Sequence, residues 1–161
     1  MPNVTEIYTM MTQAPYLSDG VKQAMDALIH FIPPALKASD NITFFSNDSV
    51  STNPVDIDAA GAGSRPLVLV VESRGTAGFV RLYNQAGSAS VTGSDELGPD
   101  LVLPVATTTG KVSALAVGGL SFANFWGAGL VVATATLSCG AGTSRAVMTN
   151  LPRIYLLYVN A

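Results

Sequence analysis

The chain has 161 residues, a single-domain length that can bury a real core, and a formal net charge of −3. Only 12% of the residues are charged while 48% are hydrophobic, and that charge fraction is about half the usual quarter. The eight cations are scattered without a basic run, which excludes the clustered Lys and Arg that a nucleic-acid binder needs for phosphate neutralisation.

A single cysteine, Cys139, leaves no intrachain disulfide and no cysteine-rich metal site. Low charge fits a surface rich in Gly, Ser and Thr. It also fits burial against other subunits, because interface cores are depleted of charge. No stretch is both long and apolar enough to span a bilayer. The start, Met1 to Glu6, lacks the basic region and apolar run of a signal peptide, so the expected site of synthesis is a cytoplasm.

Residues Met1 to Tyr16 are polar with scattered apolar positions, among them Val4, Ile7, Tyr8, Met10 and Met11. They read as an extended arm, and such arms are loosely ordered or pack on a neighbour. Ser18 to Ile32 is the one good helix. Ser18 or Asp19 can cap it, and Val21, Ala24, Met25, Leu28, Ile29 and Ile32 fall on one apolar stripe. Pro33-Pro34 stops it. The stripe either covers an open face of a sheet or docks a partner. The partner-binding expectation rests on Ile7, Tyr8, Met10, Met11, Val21, Met25 and Leu28.

From Asn41 the period changes to two. Ile42 to Phe45 is a short strand, Ser49 to Val55 an irregular one, and Leu67 to Glu72 an apolar run of strand length suited to burial on both faces. Phe79 to Tyr83 follows a Gly-containing turn, with Val80 and Leu82 expected to face the core. Leu101 to Val105 contains Pro104, which demotes it to an edge strand or a bulge. Lys111 to Val117, Gly127 to Leu137 and Arg153 to Val159 complete the set. Seven or eight short strands punctuated by Gly, Pro, Asn and Ser, with no alternating helices, predict a mainly β protein. The expected fold is an antiparallel β-sandwich or jelly roll with one N-terminal amphipathic helix. The expected division is an arm and helix over residues 1–40 and the sandwich over residues 41–161.

The residues that carry chemistry form no catalytic set. His30 is the only histidine, in the last turn of the predicted helix, and no Gly-x-Ser-x-Gly elbow accompanies it. Cys139 follows a strand without a histidine beside it to form the thiolate, and reads as a small buried residue. Two acidic clusters, Asp56 with Asp58 and Asp95, Glu96 with Asp100, are of a type that does acid–base work or ligates Ca²⁺; neither has the spacing of an EF-hand, and the second lies in a loop beside Gly93 and Gly98, where solvated acids are common. The Gly-Ala-Gly triplets at Gly61, Gly127 and Gly140 are not followed by the Lys-Ser/Thr of a phosphate loop. Phe122, Phe125 and Trp126 either pack in the core or form a stacking platform. No catalytic residue, cofactor or metal ligand is assigned, and the chain is expected not to be an enzyme.

The stretch from Phe79 to Val132 has a recognisable order. Arg-Leu-Tyr-Asn ends a strand at Asn84, and Thr-Gly-Ser-Asp ends at Asp95. Leu-x-Leu-Pro-Val ends at Val105, Gly-Gly-Leu-x-Phe ends at Phe122, and Gly-x-Gly-Leu-Val-Val-Ala-Thr-Ala-Thr starts at Gly127. It resembles small β-rich proteins encoded among the structural genes of tailed bacteriophages, over roughly Val68 to Val159. The resemblance implies a non-enzymatic virion component made in the bacterial cytoplasm. It would be a capsid decoration or cement protein that associates with itself and with other virion proteins such as the major capsid protein. A neck, tail or fibre-base protein is the alternative within the virion. A carbohydrate- or receptor-binding module, with Tyr83, Phe125 and Trp126 as stacking residues, is the alternative outside it. Neither a nucleic acid nor a membrane is expected as partner.

Overall fold

The computed structural model describes residues 18–29, 42–58, 64–92, 98–116, 129–139 and 147–160. They form one helix, α1 (Asp19–Ile29), and eight strands: β1 (Ile42–Asn47), β2 (Val55–Asp58), β3 (Ser64–Glu72), β4 (Gly78–Tyr83), β5 (Leu101–Val105), β6 (Val112–Ala116), β7 (Leu130–Ala135) and β8 (Arg153–Asn160). The strands make two four-stranded sheets of order β1-β8-β3-β6 and β2-β7-β4-β5, and every pairing is antiparallel. The first strand lies beside the last, and the chain switches sheets at most connections. That is the eight-stranded double-sheet jelly roll, so the sandwich expected from the strand pattern is the fold observed.

The core lies between the sheets. Leu69, Val71, Ile154, Leu156 and Tyr158 from the first sheet meet Val80, Leu82, Leu103, Val105, Leu130 and Val132 from the second. These positions alternate along each strand, as period-two side-chain geometry requires. Val80 and Leu82 face inward as their small apolar side chains suggested. Tyr158 also reaches across, its hydroxyl donating to the Ile57 carbonyl at 3.3 Å. Thr134 is buried in β7, its hydroxyl donating to the Val50 carbonyl at 2.7 Å and its amide to the Ser51 carbonyl at 2.9 Å. The buried polar group is therefore paired, and the residues before β2 are stitched to β7.

The outer faces are buried as well. α1 lies over β3 and β6, and its Val21 and Met25 pack with Leu67, Val68, Val70, Tyr155 and Leu157. A register break between Pro66 and Val68 in the β3–β8 ladder lets both Leu67 and Val68 join this outer cluster. On the outer face of the second sheet Tyr83, Val131 and Ala133 are buried, with Val91 against them. The continuous apolar run of β3 and the fully buried β7, polar only at the hydrogen-bonded Thr134, follow from this, since a strand buried on both faces has no solvent side to show.

Pro104 sits, exposed, in β5, which is an outermost strand of the second sheet, the placement its missing amide demands. Of the two residues able to cap the helix it is Ser18 that does so, and α1 is described as far as Ile29. The expected stop at Pro33-Pro34 lies outside the described residues, as does the arm through Tyr16. No helix among the described residues is long and apolar enough to cross a membrane.

Candidate functional site

Two places gather polar or exposed groups. The first is where α1 meets the sheet. Ser18 is the helix N-cap: its Oγ accepts from the Val21 amide at 3.3 Å, and its carbonyl accepts from the Lys22 amide at 3.0 Å. The same hydroxyl donates to Glu72 Oε2 at the end of β3. Glu72 Oε1 in turn accepts a hydrogen bond from Arg153 Nη1 at 3.0 Å, across the β3–β8 register where the two residues stand opposite each other. Glu72 is 5% exposed, so this is a mostly desolvated ionic contact with a hydrogen-bonded third member. It fastens the start of the helix to the ends of the two central strands of the first sheet.

Tyr155 lies next to it, two residues along β8, with its ring stacked on Phe44 at 6.3 Å between centroids. Burial first, then the negative charge of Glu72 and Asp48, hold the Tyr155 phenol above its ordinary value of 10.0, against the lowering effect of Arg153. The phenol therefore stays protonated through the neutral range.

The second place is one end of the sandwich. Glu72, Val112, Arg153 and Asn47 end their strands on the same side of the first sheet, and Gly78, Val105 and Ala135 do so in the second. The connections β1–β2, β3–β4, β5–β6 and β7–β8 therefore share this end. They are tied to one another. The Ser73 amide donates to the Lys111 carbonyl at 2.9 Å, the Gly110 amide to the Ser73 carbonyl at 2.8 Å, the Ser73 hydroxyl to the Ala106 carbonyl at 2.5 Å, and the Asn150 amide to Thr76 Oγ1 at 3.1 Å. Gly75 takes a φ of 104° in this knot, a left-handed conformation that other residues enter at a cost. Arg74, Thr107, Thr108, Thr109 and Lys111 are exposed on it. So are Leu137 at 52%, Val147 at 59% and Cys139.

The residues singled out in the sequence are spread over the molecule. Val21 and Met25 are 0% exposed and Leu28 is half-buried against the same cluster, so the described part of the apolar stripe faces the chain's own sheet. Ile7, Tyr8, Met10 and Met11 lie outside the described residues, as do His30, Asp95, Glu96, Phe122, Phe125 and Trp126. Tyr83 is 1% exposed and offers no ring face for a sugar. Cys139 is exposed where burial was expected: it follows β7 on the loop end and not in the sheet. Asp56 and Asp100 are loop fasteners. Asp56 Oδ1 accepts from the Ser88 amide, and Asp100 Oδ2 accepts from the Asn84 amide at 2.7 Å. Among the described residues no three His, Cys, Asp or Glu side chains come together as a metal site.

The Ser18–Glu72–Arg153 contact had no sequence signal beyond an acid ending an apolar run. Its ion pair joins positions 81 residues apart, and only the register brings them together.

No family model and no curated protein matches the chain. Among solved structures, the coat protein of tobacco streak virus is similar over 78% of this chain and 90% of its own, at 10% identity and a TM-score of 0.33. So loose a superposition decides nothing about function.

Proposed function

We propose that this protein is a non-enzymatic structural subunit of a virion and works by associating in many copies. The observation that carries the reading is the strand order, β1-β8-β3-β6 over β2-β7-β4-β5. The double-sheet jelly roll recurs in viral capsid domains, in lectins and in cupins, and the residues must choose among these. A histidine-rich metal centre of the kind imidazole ligands build needs more than the one histidine of this chain. A lectin-type stacking site is not favoured by Tyr83, which is buried. A shell subunit needs only a stable block and surfaces for its neighbours. The central strands β3, β4 and β7 are buried on both faces, and the low charge suits close packing of identical subunits.

Within the virion, decoration or cementing of a tailed-phage capsid is the specific role we infer, from the resemblance over Val68 to Val159. Weak contacts suffice for it, because many copies multiply them. Tryptic mass spectrometry of particles purified from the virus whose genome encodes this chain should find it in many copies per particle. Its removal should lower the temperature or raise the ionic strength at which capsids remain intact. Particles that lack the chain overturn the virion reading. Its presence on isolated tails and absence from heads would transfer the role to the neck or tail.

A further inference from the structure

The charges of this chain are few, and the topology sorts them between the two ends of the sandwich. The connections β1–β2, β3–β4, β5–β6 and β7–β8 share one end. In sequence they are residues 48–54, 73–77, 106–111 and 136–152, and they hold Arg74, Lys111, Arg145 and one acid, Asp48. The connections β2–β3, β4–β5 and β6–β7 leave from the opposite end. They are residues 59–63, 84–100 and 117–129, and they hold Asp95, Glu96, Asp100 and no cation. Arg145, Asp95 and Glu96 lie outside the described residues. Asp56 and Asp58 of β2 also stand toward the second end, opposite the start of β7. Arg65, near the start of β3, is the described cation there.

The cations at the first end are free. Arg74 and Lys111 are exposed, and among the described residues neither side chain makes a hydrogen bond or an ion pair. They adjoin neighbouring strands, β3 and β6. Asp48 follows β1, two strands from β3 and three from β6. That is about 10–14 Å at the usual strand spacing, longer than the roughly 8 Å over which physiological salt screens exposed charges. Asp19 and Lys22 in the first turn of α1 offset each other, and Glu72 is paired with Arg153. Leu137 and Val147, the exposed large apolar side chains among the described residues, flank the same end. Apolar surface rimmed by charge marks an interaction site. At the other end Asp56 and Asp100 are exposed, and the amides they accept from leave their charge in place.

We propose that copies of this chain associate end to end, the Arg74–Lys111 end of one against the acidic end of the next. Opposite signs at opposite ends single out a second copy as the occupant, because each chain carries the complement of its own surface. Contacts between like ends set like charges together and are disfavoured. The two ends are different surfaces, so the contact is heterologous. It closes into a ring if the rotation per copy allows, and otherwise continues as a row. Exposed charges contribute little each, so one contact is weak alone and persistent in an array. Salt weakens it further. The inference rests on the multi-copy reading above and gives it one of its contacts.

Sedimentation velocity over a concentration series, at low and at high ionic strength, tests it with two charge-reversed variants. Arg74→Glu with Lys111→Glu reverses the first end. Asp58→Lys with Asp95→Lys and Glu96→Lys reverses the second and leaves the loop fasteners Asp56 and Asp100 in place. Circular dichroism reports whether each variant is folded. The wild type should associate as concentration rises at low ionic strength and dissociate as salt is added. Each variant alone should sediment as a monomer, and an equimolar mixture of the two should recover association, because opposite charges then meet again. A wild type that is monomeric at every concentration, an association indifferent to salt, or variants that associate as the wild type does overturns the end-to-end contact. So does a wild type that is monomeric alone yet binds particles stripped of it, which would give the cation end to another virion protein. Each of these leaves the virion reading standing, since that reading falls only if particles lack the chain. The wild-type concentration and salt series decides the matter even if a variant fails to fold.

Discussion

At the scale of single residues the structure turns on one carboxylate. Glu72 accepts from Ser18, which caps α1, and from Arg153, which stands opposite it on β8. Glu72→Gln keeps the shape and removes the charge, leaving Arg153, whose side chain is 26% exposed, without this anion. A loss of roughly 2 kcal/mol is expected in urea unfolding, below the full cost of breaking a wholly buried pair because Arg153 keeps some water. Ser18→Ala should cost about 1 kcal/mol as a lost cap. The double variant should lose less than the sum, since both changes remove the same Ser18–Glu72 bond.

Tyr155 gives a pH signature. Its folded value is raised above the ordinary 10.0, so the folded state holds this proton more tightly than the unfolded one. The stability linked to it is fully present below pH 10 and is lost as pH rises through 10 towards the folded value. Titration by tyrosinate absorbance should show one phenol ionising late. Tyr155→Phe should remove that step and flatten the alkaline decline of the melting temperature. An unchanged alkaline profile in Tyr155→Phe would reject the assignment.

Elements were legible where a local rule was strong enough to survive packing. The helix showed in the spacing of Val21, Met25 and Leu28. The edge position of β5 showed in Pro104, and the inward face of β4 showed in Val80 and Leu82. Pro104→Thr restores an edge amide and should increase concentration-dependent association in size-exclusion chromatography without loss of folding. The start of β4 was less legible. Gly78 lies where a Cβ would come within 2.5 Å of Met148 Sδ and 2.8 Å of the Ala135 carbonyl oxygen. Met148 can shift but the β7 backbone cannot. Gly78→Ala should therefore cost about 1–3 kcal/mol, and shortening Met148 should recover only part of it. Nothing in the local sequence says that residue 78 touches residue 148. Cys139 is exposed for a related reason: the apolar run before it has the look of a buried strand end, while β7 stops at Ala135 and Leu137 is already exposed.

For the molecule as a whole, central strands buried on both faces explain how so few charges are enough. Apolar positions that would look surplus in a two-layer sandwich are occupied by α1 on one side and by the Tyr83 cluster on the other. Burial then separates residues of one chemical type. Leu69, fully buried between the sheets, should cost roughly 2–5 kcal/mol as Leu69→Ala through lost transfer energy and a cavity. Leu137→Ala, at 52% exposure, should stay within about 0.5 kcal/mol. Thermal or urea unfolding of the pair checks whether the loop end is as open as described. An equal loss in both would place Leu137 in an interface or a core.

The sequence by itself determined the class: many short period-two strands and one amphipathic helix. Those are local properties, written in spacing and residue type. Only the tertiary structure decided that β1 lies beside β8 and that Glu72 faces Arg153 and Ser18. These follow from long-range register, which couples positions as far apart as 42 and 159. A strand's own residues specify which face it buries but not which neighbour it takes.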